Sequence, residues 1–166
     1  MKVEQWHDKL VVTDFDEFDA CRIASKIEKD GIWFYEKLAQ AVKKPEVRET
    51  LNFLVQEEKR HIDFFENELQ RLRSSGEDKN EDDDLLTSMD FKIFEPYQEI
   101  KDLPKFLENI SNALRLGMAI EDNSVRFYQA CEEKVSGYLA KQELIKIIGE
   151  EKKHKKIFED MLRSMV

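Results

Sequence analysis

The chain has 166 residues and a formal net charge of −9, with abundant Glu and Lys and only 5 Gly and 3 Pro residues. This length fits one domain with a single core, and this composition favours long helices. The acidic charge disfavours nucleic acid and anionic membranes as partners. No apolar run could span a bilayer, and no apolar signal region opens the chain. We therefore expect a cytoplasmic protein that binds neither nucleic acid nor membranes.

The first half of the chain predicts a pair of long helices. The first helix begins near Thr13, where Thr13 and Asp16 resemble a capping box, and it continues to about Lys44. Pro45 suits the first turn of a second helix, where its missing N–H costs nothing. We therefore predict a helical hairpin over residues 14–73.

The second half predicts another pair of helices after a long connection. Residues 74–103 predict a crossover between the two hairpins. Its first part is polar and acidic and should be a solvated loop, and its second part should be ordered. Pro104 opens the third helix, and the break at Ser136-Gly137 separates it from the fourth, with Ser136 as the candidate N-cap. A second helical hairpin is therefore predicted over residues 104–165.

An internal repeat relates the two hairpins. Glu28 precedes His61 by 33 positions, and Glu121 precedes His154 by the same 33. The repeat also pairs Phe34-Tyr35 with Phe127-Tyr128, and residues 57–61 with residues 150–154. Two such hairpins packed face to face form a pseudo-symmetric bundle. The predicted fold class is all-α: a four-helix bundle of two hairpins joined by one long crossover, in a single domain over residues 1–166.

Six polar residues interrupt the apolar stripes of the four helices. On the second and fourth helices a Glu and a His stand three residues apart, so their side chains share a face. The first and third helices each contribute one Glu. The six residues are Glu28, Glu58, His61, Glu121, Glu151 and His154.

Four carboxylates inside an apolar core need a compensating charge. A buried carboxylate costs several kcal/mol unless it is paired or protonated, and these stripes offer no Lys or Arg. Two divalent cations would balance the four formal charges. Mixed Glu and His ligands suit iron or manganese better than calcium or structural zinc. The sequence therefore predicts a site for two metal ions.

Further residues near the six are open to two interpretations. Tyr35 and Tyr128 follow Glu28 and Glu121 by seven residues, two turns along the same face. They would either donate hydrogen bonds to ligand carboxylates or simply fill the core. Glu57 and Glu150 directly precede the Glu-x-x-His units, and we expect them to be solvated or ion-paired.

These motifs resemble the rubrerythrin-like branch of the ferritin-like superfamily. The segments that carry the resemblance are Ile27-Glu28-Lys29-Asp30-Gly31, Phe34-Tyr35, Ala119-Ile120-Glu121-Asp122 and Phe127-Tyr128. The resemblance covers residues 14–73 and 104–165 and implies a bridged di-iron centre. It implies that Glu58 and Glu151 bridge the metals, that Glu28 and Glu121 are terminal ligands, and that His61 and His154 bind one metal each.

The chain departs from the family pattern in two ways. Rubrerythrins usually carry a rubredoxin-like iron domain with four cysteines, whereas this chain has Cys21 and Cys131 alone, which we interpret as reduced core cysteines. Electrons would then come from a separate donor protein. The family also has an extra Glu one turn beyond the third-helix ligand, where this chain has Ser124 and Val125.

The resemblance leaves three functional hypotheses. The leading one is a di-iron oxidoreductase that reduces hydrogen peroxide or oxygen with electrons from Fe(II) and an external donor. The second is a non-catalytic or slow-ferroxidase protein that binds and handles iron. The third is an oxygenase with an organic substrate.

The sequence also suggests a homodimer. Bulky apolar residues lie outside the predicted metal stripes of the first and third helices, and a large exposed apolar patch usually marks an interface. These residues are Ile23, Ile27, Phe34, Leu116, Ile120 and Phe127. The long crossover would also allow the hairpins to be exchanged between chains.

Overall fold

The computed structural model describes residues 2–6, 9–76, 100 and 102–164. In chain order, the elements of this part are β1 (Lys2–Trp6), β2 (Lys9–Asp14), α1 (Glu17–Ala41), α2 (Pro45–Ser74), α3 (Leu103–Glu108), α4 (Ile110–Glu132) and α5 (Tyr138–Arg163). The backbones of β1 and β2 form an antiparallel hairpin, which the sequence did not predict. The predicted crossover falls almost wholly on residues 77–99, outside the described part. None of the described helices is long and apolar enough to cross a membrane.

The four long helices form a bundle from two hairpins. α1 packs along α2 and α4 packs along α5, because the short connections 42–44 and 133–137 turn the chain back on itself. α1 also contacts α4, and α2 contacts α5, which joins the hairpins. The prediction of an all-α four-helix bundle is confirmed.

The start of α1 corrects the sequence-based prediction by one turn. Thr13 belongs to β2 and is therefore not the N-cap of the helix. Asp16 is the N-cap instead: its Oδ1 accepts a hydrogen bond from the Asp19 N–H at 3.0 Å, and the Asp19 carboxylate accepts one from the Asp16 N–H at 3.3 Å. This reciprocal pair satisfies two N–H groups that the first turn leaves unpaired. The helix ends at Ala41, before the predicted Lys44.

Two predicted features of the second hairpin are also corrected. The third helix is interrupted at Asn109, whose side chain accepts a hydrogen bond from the Asn112 N–H and so caps α4 as a new helix. Gly137, not Ser136, is the N-cap of α5. Ser136 does not cap α5 because its hydroxyl and its N–H both donate to the carboxylate of Glu17, at 2.7 and 3.2 Å. The same Glu17 accepts from Arg71 at 2.8 Å, so it ties both hairpins together at one end of the bundle.

The described core divides into two apolar layers. The layer at one end consists of residues 18–27 of α1 and the parts of the other helices that pack on them, and it includes the buried, unpaired Cys21 and Cys131. The layer at the other end is formed by residues 34–42 of α1 and their neighbours. On every long helix, the residues between these layers include the predicted metal ligands. The fold therefore leaves a polar layer across the middle of the bundle.

The apolar residues that suggested a dimer are satisfied within one chain. Ile23, Ile27, Phe34, Leu116 and Ile120 are each at most 5% exposed. Phe127 is half-buried and packs on the first apolar layer. That ground for a homodimer is therefore wrong, and dimerisation stays a prediction without structural support from these side chains.

Gly117 gives a direct test of packing beside the polar layer. A Cβ on Gly117 would lie 3.0 Å from the ring of Phe158, which is fully buried and packs on Tyr35 with ring centroids 5.5 Å apart. We expect Gly117→Ala to lower the free energy of unfolding by about 1 kcal/mol, because overpacking outweighs the gain in helix propensity. The matched control is Gly149→Ala, where a Cβ meets nothing within 4 Å. It should raise stability by about 0.5–1 kcal/mol in the same denaturant titration.

Candidate metal centre

The six predicted ligands meet in the polar layer of the bundle. Each is between 1% and 3% exposed, so all six side chains are removed from solvent. α1 and α4 contribute one Glu each, while α2 and α5 each contribute a Glu and a His one turn apart. The six are Glu28, Glu58, His61, Glu121, Glu151 and His154. Helical periodicity brings them inward, because each occupies a position at which its helix otherwise has an apolar side chain.

The first group of donor atoms surrounds His61. Its Nδ1 lies 2.9 Å from Oε2 of Glu58 and 2.9 Å from Oε1 of Glu151. Oε1 of Glu28 is 3.5 Å from the same nitrogen. One ligand atom from each of these four residues lies within 4.8 Å of the others, which is close enough for one metal ion to contact them all.

The second group surrounds His154 and shares two members with the first. Nδ1 of His154 lies 3.2 Å from Oε1 of Glu58, the oxygen that the first group does not use. The same nitrogen is 3.7 Å from Oε2 of Glu151 and 3.8 Å from Oε1 of Glu121. Glu58 and Glu151 thus direct one oxygen to each group. This is the bridging arrangement that the resemblance implies, and metal binding itself stays a prediction.

Unpaired donor atoms test whether the site fits metal ions. Oε2 of Glu58, Oε1 of Glu151 and Nδ1 of His61 are buried and close together, but within the described part of the chain none of them is in a well-aligned hydrogen bond, and the same is true of Nδ1 of His154. Buried polar atoms are rarely left unpaired, because each loses its hydrogen bonds to water and gains none from the protein. Here the unpaired atoms converge, and they are of the types that bind transition metals. The donor set therefore fits two metal ions.

Protons would have to replace the missing positive charge in the metal-free chain. Burial, followed by the carboxylates of Glu58 and Glu151, raises the pKa of Glu28 and of Glu121 well above the ordinary value. Burial disfavours the charged form of His154, but the neighbouring carboxylates of Glu151 and Glu58 outweigh it and raise its pKa to about 10. The cluster therefore attracts cations of either kind, protons or metal ions.

Burial also opposes charge on His61 and on Glu151, yet each becomes more easily charged. The carboxylates around the His61 ring outweigh burial and raise its pKa. Contacts with the Glu121 carboxyl group and with the two histidines lower the pKa of Glu151. Opposite charges in a dry interior attract strongly, so the metal-free cluster is held together by histidinium–carboxylate pairs.

The two tyrosines donate hydrogen bonds across the bundle. Tyr35 donates to Oε1 of Glu121, and Tyr128 donates to Oε1 of Glu28 at 2.5 Å. Each phenol therefore serves the glutamate of the other hairpin, not the one on its own helix. Burial and the adjacent carboxylates raise the pKa of both phenols well above the ordinary value, so the donor protons are retained. Of the two interpretations left open by the sequence, the structure shows the hydrogen-bonded one.

Removing one phenolic hydroxyl should weaken metal binding without unfolding the bundle. We expect Tyr128→Phe to lower Fe(II) affinity about tenfold, because the orientation of Glu28 then lacks its hydrogen bond. Anaerobic titration of Fe(II) into the metal-free protein measures this. Tyr138→Phe is the matched control, since Tyr138 is 75% exposed and far from the polar layer in sequence. Equal affinities in the two variants would show that the hydroxyl of Tyr128 does not orient a ligand.

Glu150 is ion-paired, which is one of the two outcomes that the sequence predicted. Its partner is the buried His61, whose Nε2 lies 3.0 Å from Oε2 of Glu150. This contact directs the opposite ring nitrogen, Nδ1, towards the donor group. Glu57, its counterpart in the repeat, behaves as predicted and pairs with Arg60. The sequence did contain a signal for the contact of Glu150 with His61. Glu57 and Glu150 each directly precede a candidate ligand Glu, and each lies on a helix that packs against the helix carrying the histidine of the other hairpin.

Comparison with known families agrees with this geometry. The sequence model of the Rubrerythrin family matches residues 19–162, and it also matches residues 5–69. The longer match spans most of the chain and includes all six residues of the cluster. Comparison with curated proteins and comparison with solved structures each give no significant match. The chain therefore belongs to the rubrerythrin family, a ferritin-like family of di-iron proteins, and it lacks the four cysteines of a rubredoxin domain.

Proposed function

We propose that this protein is a di-iron oxidoreductase that reduces hydrogen peroxide or oxygen and is re-reduced by a separate electron-donor protein. The observation that carries the proposal is the set of converging, unpaired donor atoms around His61 and His154. Iron fits mixed Glu and His ligands, and manganese is the alternative because it accepts the same ligand types. When bound, two ferrous ions supply the two electrons that convert one peroxide molecule and two protons into two water molecules.

The surrounding residues prepare the site for that chemistry. Glu58 and Glu151 link the two donor groups, because each directs one carboxylate oxygen to each group. Tyr35 and Tyr128 keep their protons, so each phenol holds the carboxylate of Glu121 or Glu28 in place through a hydrogen bond. The apolar layers above and below exclude bulk water, which strengthens these interactions.

Ser124 favours a second candidate function. Its side chain is 3% exposed and donates a hydrogen bond to the Ile120 carbonyl at 3.1 Å, within its own helix. It stands three residues after Glu121, on the turn where the family resemblance implies an additional carboxylate ligand. A cluster without that ligand is compatible with an iron-binding protein that oxidises Fe(II) slowly. This candidate shares the same metal site and differs in turnover.

Anaerobic rapid mixing separates the two candidates. The protein is loaded with two Fe(II) ions per chain and mixed with hydrogen peroxide or with air-saturated buffer, while absorbance in the near ultraviolet reports oxidation. We expect oxidation several times faster with peroxide than with air, and repeated turnover when a reductant is supplied. A zinc-loaded sample is the control and should show no change. Slow oxidation with both oxidants and no turnover would support the iron-handling protein instead.

A further inference from the structure

The internal repeat predicts that both ligand histidines have equivalent surroundings. Glu150 directly precedes the ligand Glu151 and contacts the histidine of the other hairpin, His61. By the repeat, Glu57 directly precedes Glu58 and should contact His154 in the same way. The structure departs from this symmetry, and the departure lies next to the metal centre.

His61 is oriented on both sides of its ring. Nε2 contacts the Glu150 carboxylate at 3.0 Å, while Nδ1 faces Glu58 and Glu151. A carboxylate on the far nitrogen of a ligand histidine holds the proton there, which leaves the near nitrogen free to bind metal. The side chain of Glu150 is only 13% exposed, so water competes weakly for this contact.

His154 lacks such a partner. Its Nε2 is buried and has no hydrogen-bond partner among the residues that the structure describes, although its Nδ1 faces the ligand group as that of His61 does. Glu57, the expected acceptor, is paired with Arg60 one turn along α2. If Nδ1 of His154 binds a metal ion, Nε2 must carry a proton that no acceptor receives.

The two halves also differ in the residue that directly precedes each ligand histidine. That residue is Arg60 in the first half and Lys153 in the second. Arginine presents a planar group of several donors that holds a carboxylate firmly, whereas lysine is a mobile point charge. Lys153 is exposed and forms no ion pair within the described part of the chain, so Glu150 remains available to His61.

We propose that Arg60 makes the two metal positions unequal, because it pairs with Glu57 and so deprives His154 of the carboxylate that Glu150 gives to His61. The inference rests on the metal binding proposed above and adds an order of filling. The position of Glu28 and His61 fills first, and the position of Glu121 and His154 fills second. Loss of such a supporting partner typically lowers metal affinity 10- to 100-fold, so the two affinities should differ by about that factor.

Calorimetric titration of Fe(II) into the metal-free protein under anaerobic conditions tests the order of filling. The wild-type protein should show two steps. His154→Ala should keep the tighter step and lose the weaker one, whereas His61→Ala should lose the tighter one. Glu150→Gln should weaken the tighter step about tenfold.

Arg60 and Lys153 are a matched pair of exposed residues that tests whether Arg60 causes the difference between the two metal positions. Arg60→Ala releases Glu57 towards His154 and should tighten the weaker step about tenfold, while Lys153→Ala should leave both steps unchanged. Two equal affinities in the wild-type protein, or the same response to both substitutions, would overturn this inference and leave the metal site intact. No Fe(II) binding by the wild-type protein would overturn the proposed function and this inference together.

Discussion

The Glu58→Ala variant should lose both metal ions, whereas His154→Ala should lose one. Glu58 directs one oxygen to each donor group, so its removal takes a ligand from both positions. His154 belongs to one group, and the group around His61 keeps all its members without it. We therefore expect bound iron to fall from about two per chain to near zero in the first variant and to about one in the second. Elemental analysis after anaerobic loading and desalting measures this.

A surface carboxylate on the same helix provides the control for Glu58→Ala. Glu66 pairs with Lys29 at the protein surface and lies outside both donor groups. Glu66→Ala should keep two iron ions per chain. All the variants should keep the far-ultraviolet circular dichroism of a helical bundle, because none of them changes the two apolar layers that pack the four helices. Two iron ions in Glu58→Ala would show that this residue is not a shared ligand.

Removal of the metal should lower the melting temperature by on the order of 10 °C. A ligand present at one hundred times its dissociation constant stabilises the folded state by about 2.7 kcal/mol per site, and each kcal/mol shifts a chain of this size by about 2–4 °C. The metal-free chain also retains four buried carboxylates in one layer. Differential scanning calorimetry before and after chelation tests this. An unchanged melting curve would contradict the presence of a buried metal centre.

The pH dependence of stability should have opposite signs in the two forms. In metal-free protein the folded-state pKa values of Glu28 and Glu121 lie above the ordinary 4.5, and that of His154 lies at about 10, above 6.5. Groups with raised pKa values stabilise the fold below their unfolded values and lose this contribution as pH rises through the folded values. Acidification from about pH 8 to about pH 5 should therefore raise the melting temperature of metal-free protein.

Metal-loaded protein should respond in the opposite direction, since protons compete with metal for the same ligands. Its melting temperature should fall over the same acidification and approach that of the metal-free form. Below pH 4.5 the metal-free form should also weaken, because the lowered pKa of Glu151 means that stability is lost when this carboxylate is protonated. Parallel curves for the two forms would show that protons and metal do not share these ligands.

The bundle and its six inward-facing polar residues could be predicted because both depend on local periodicity. A residue every three to four positions returns to the same face of a helix, so polar interruptions in an apolar stripe identify a buried site before any helix is placed. The repeat of 33 positions added a second, independent constraint. Pro45 likewise predicted a helix start, because its fixed backbone suits the first turn.

Element ends were less predictable because several residues compete for each end. Thr13 and Asp16 have the spacing of a capping box, yet Asp16 and Asp19 form the pair that the chain uses. Ser136 is a good N-cap by type, but Glu17 of a distant helix accepts its hydrogen bonds. Local propensity differences of a few tenths of a kcal/mol are easily reversed by one tertiary hydrogen bond.

The sequence by itself therefore determined the helices, the inward faces and the set of candidate ligands. The tertiary structure alone decided which partner each polar side chain takes across the bundle. Tyr35 reaches Glu121 and Tyr128 reaches Glu28, while Glu150 reaches His61 and Glu57 does not reach His154. The physical reason is that periodicity sets the direction of a side chain, whereas its partner depends on the axial offset between packed helices and on competing charges nearby.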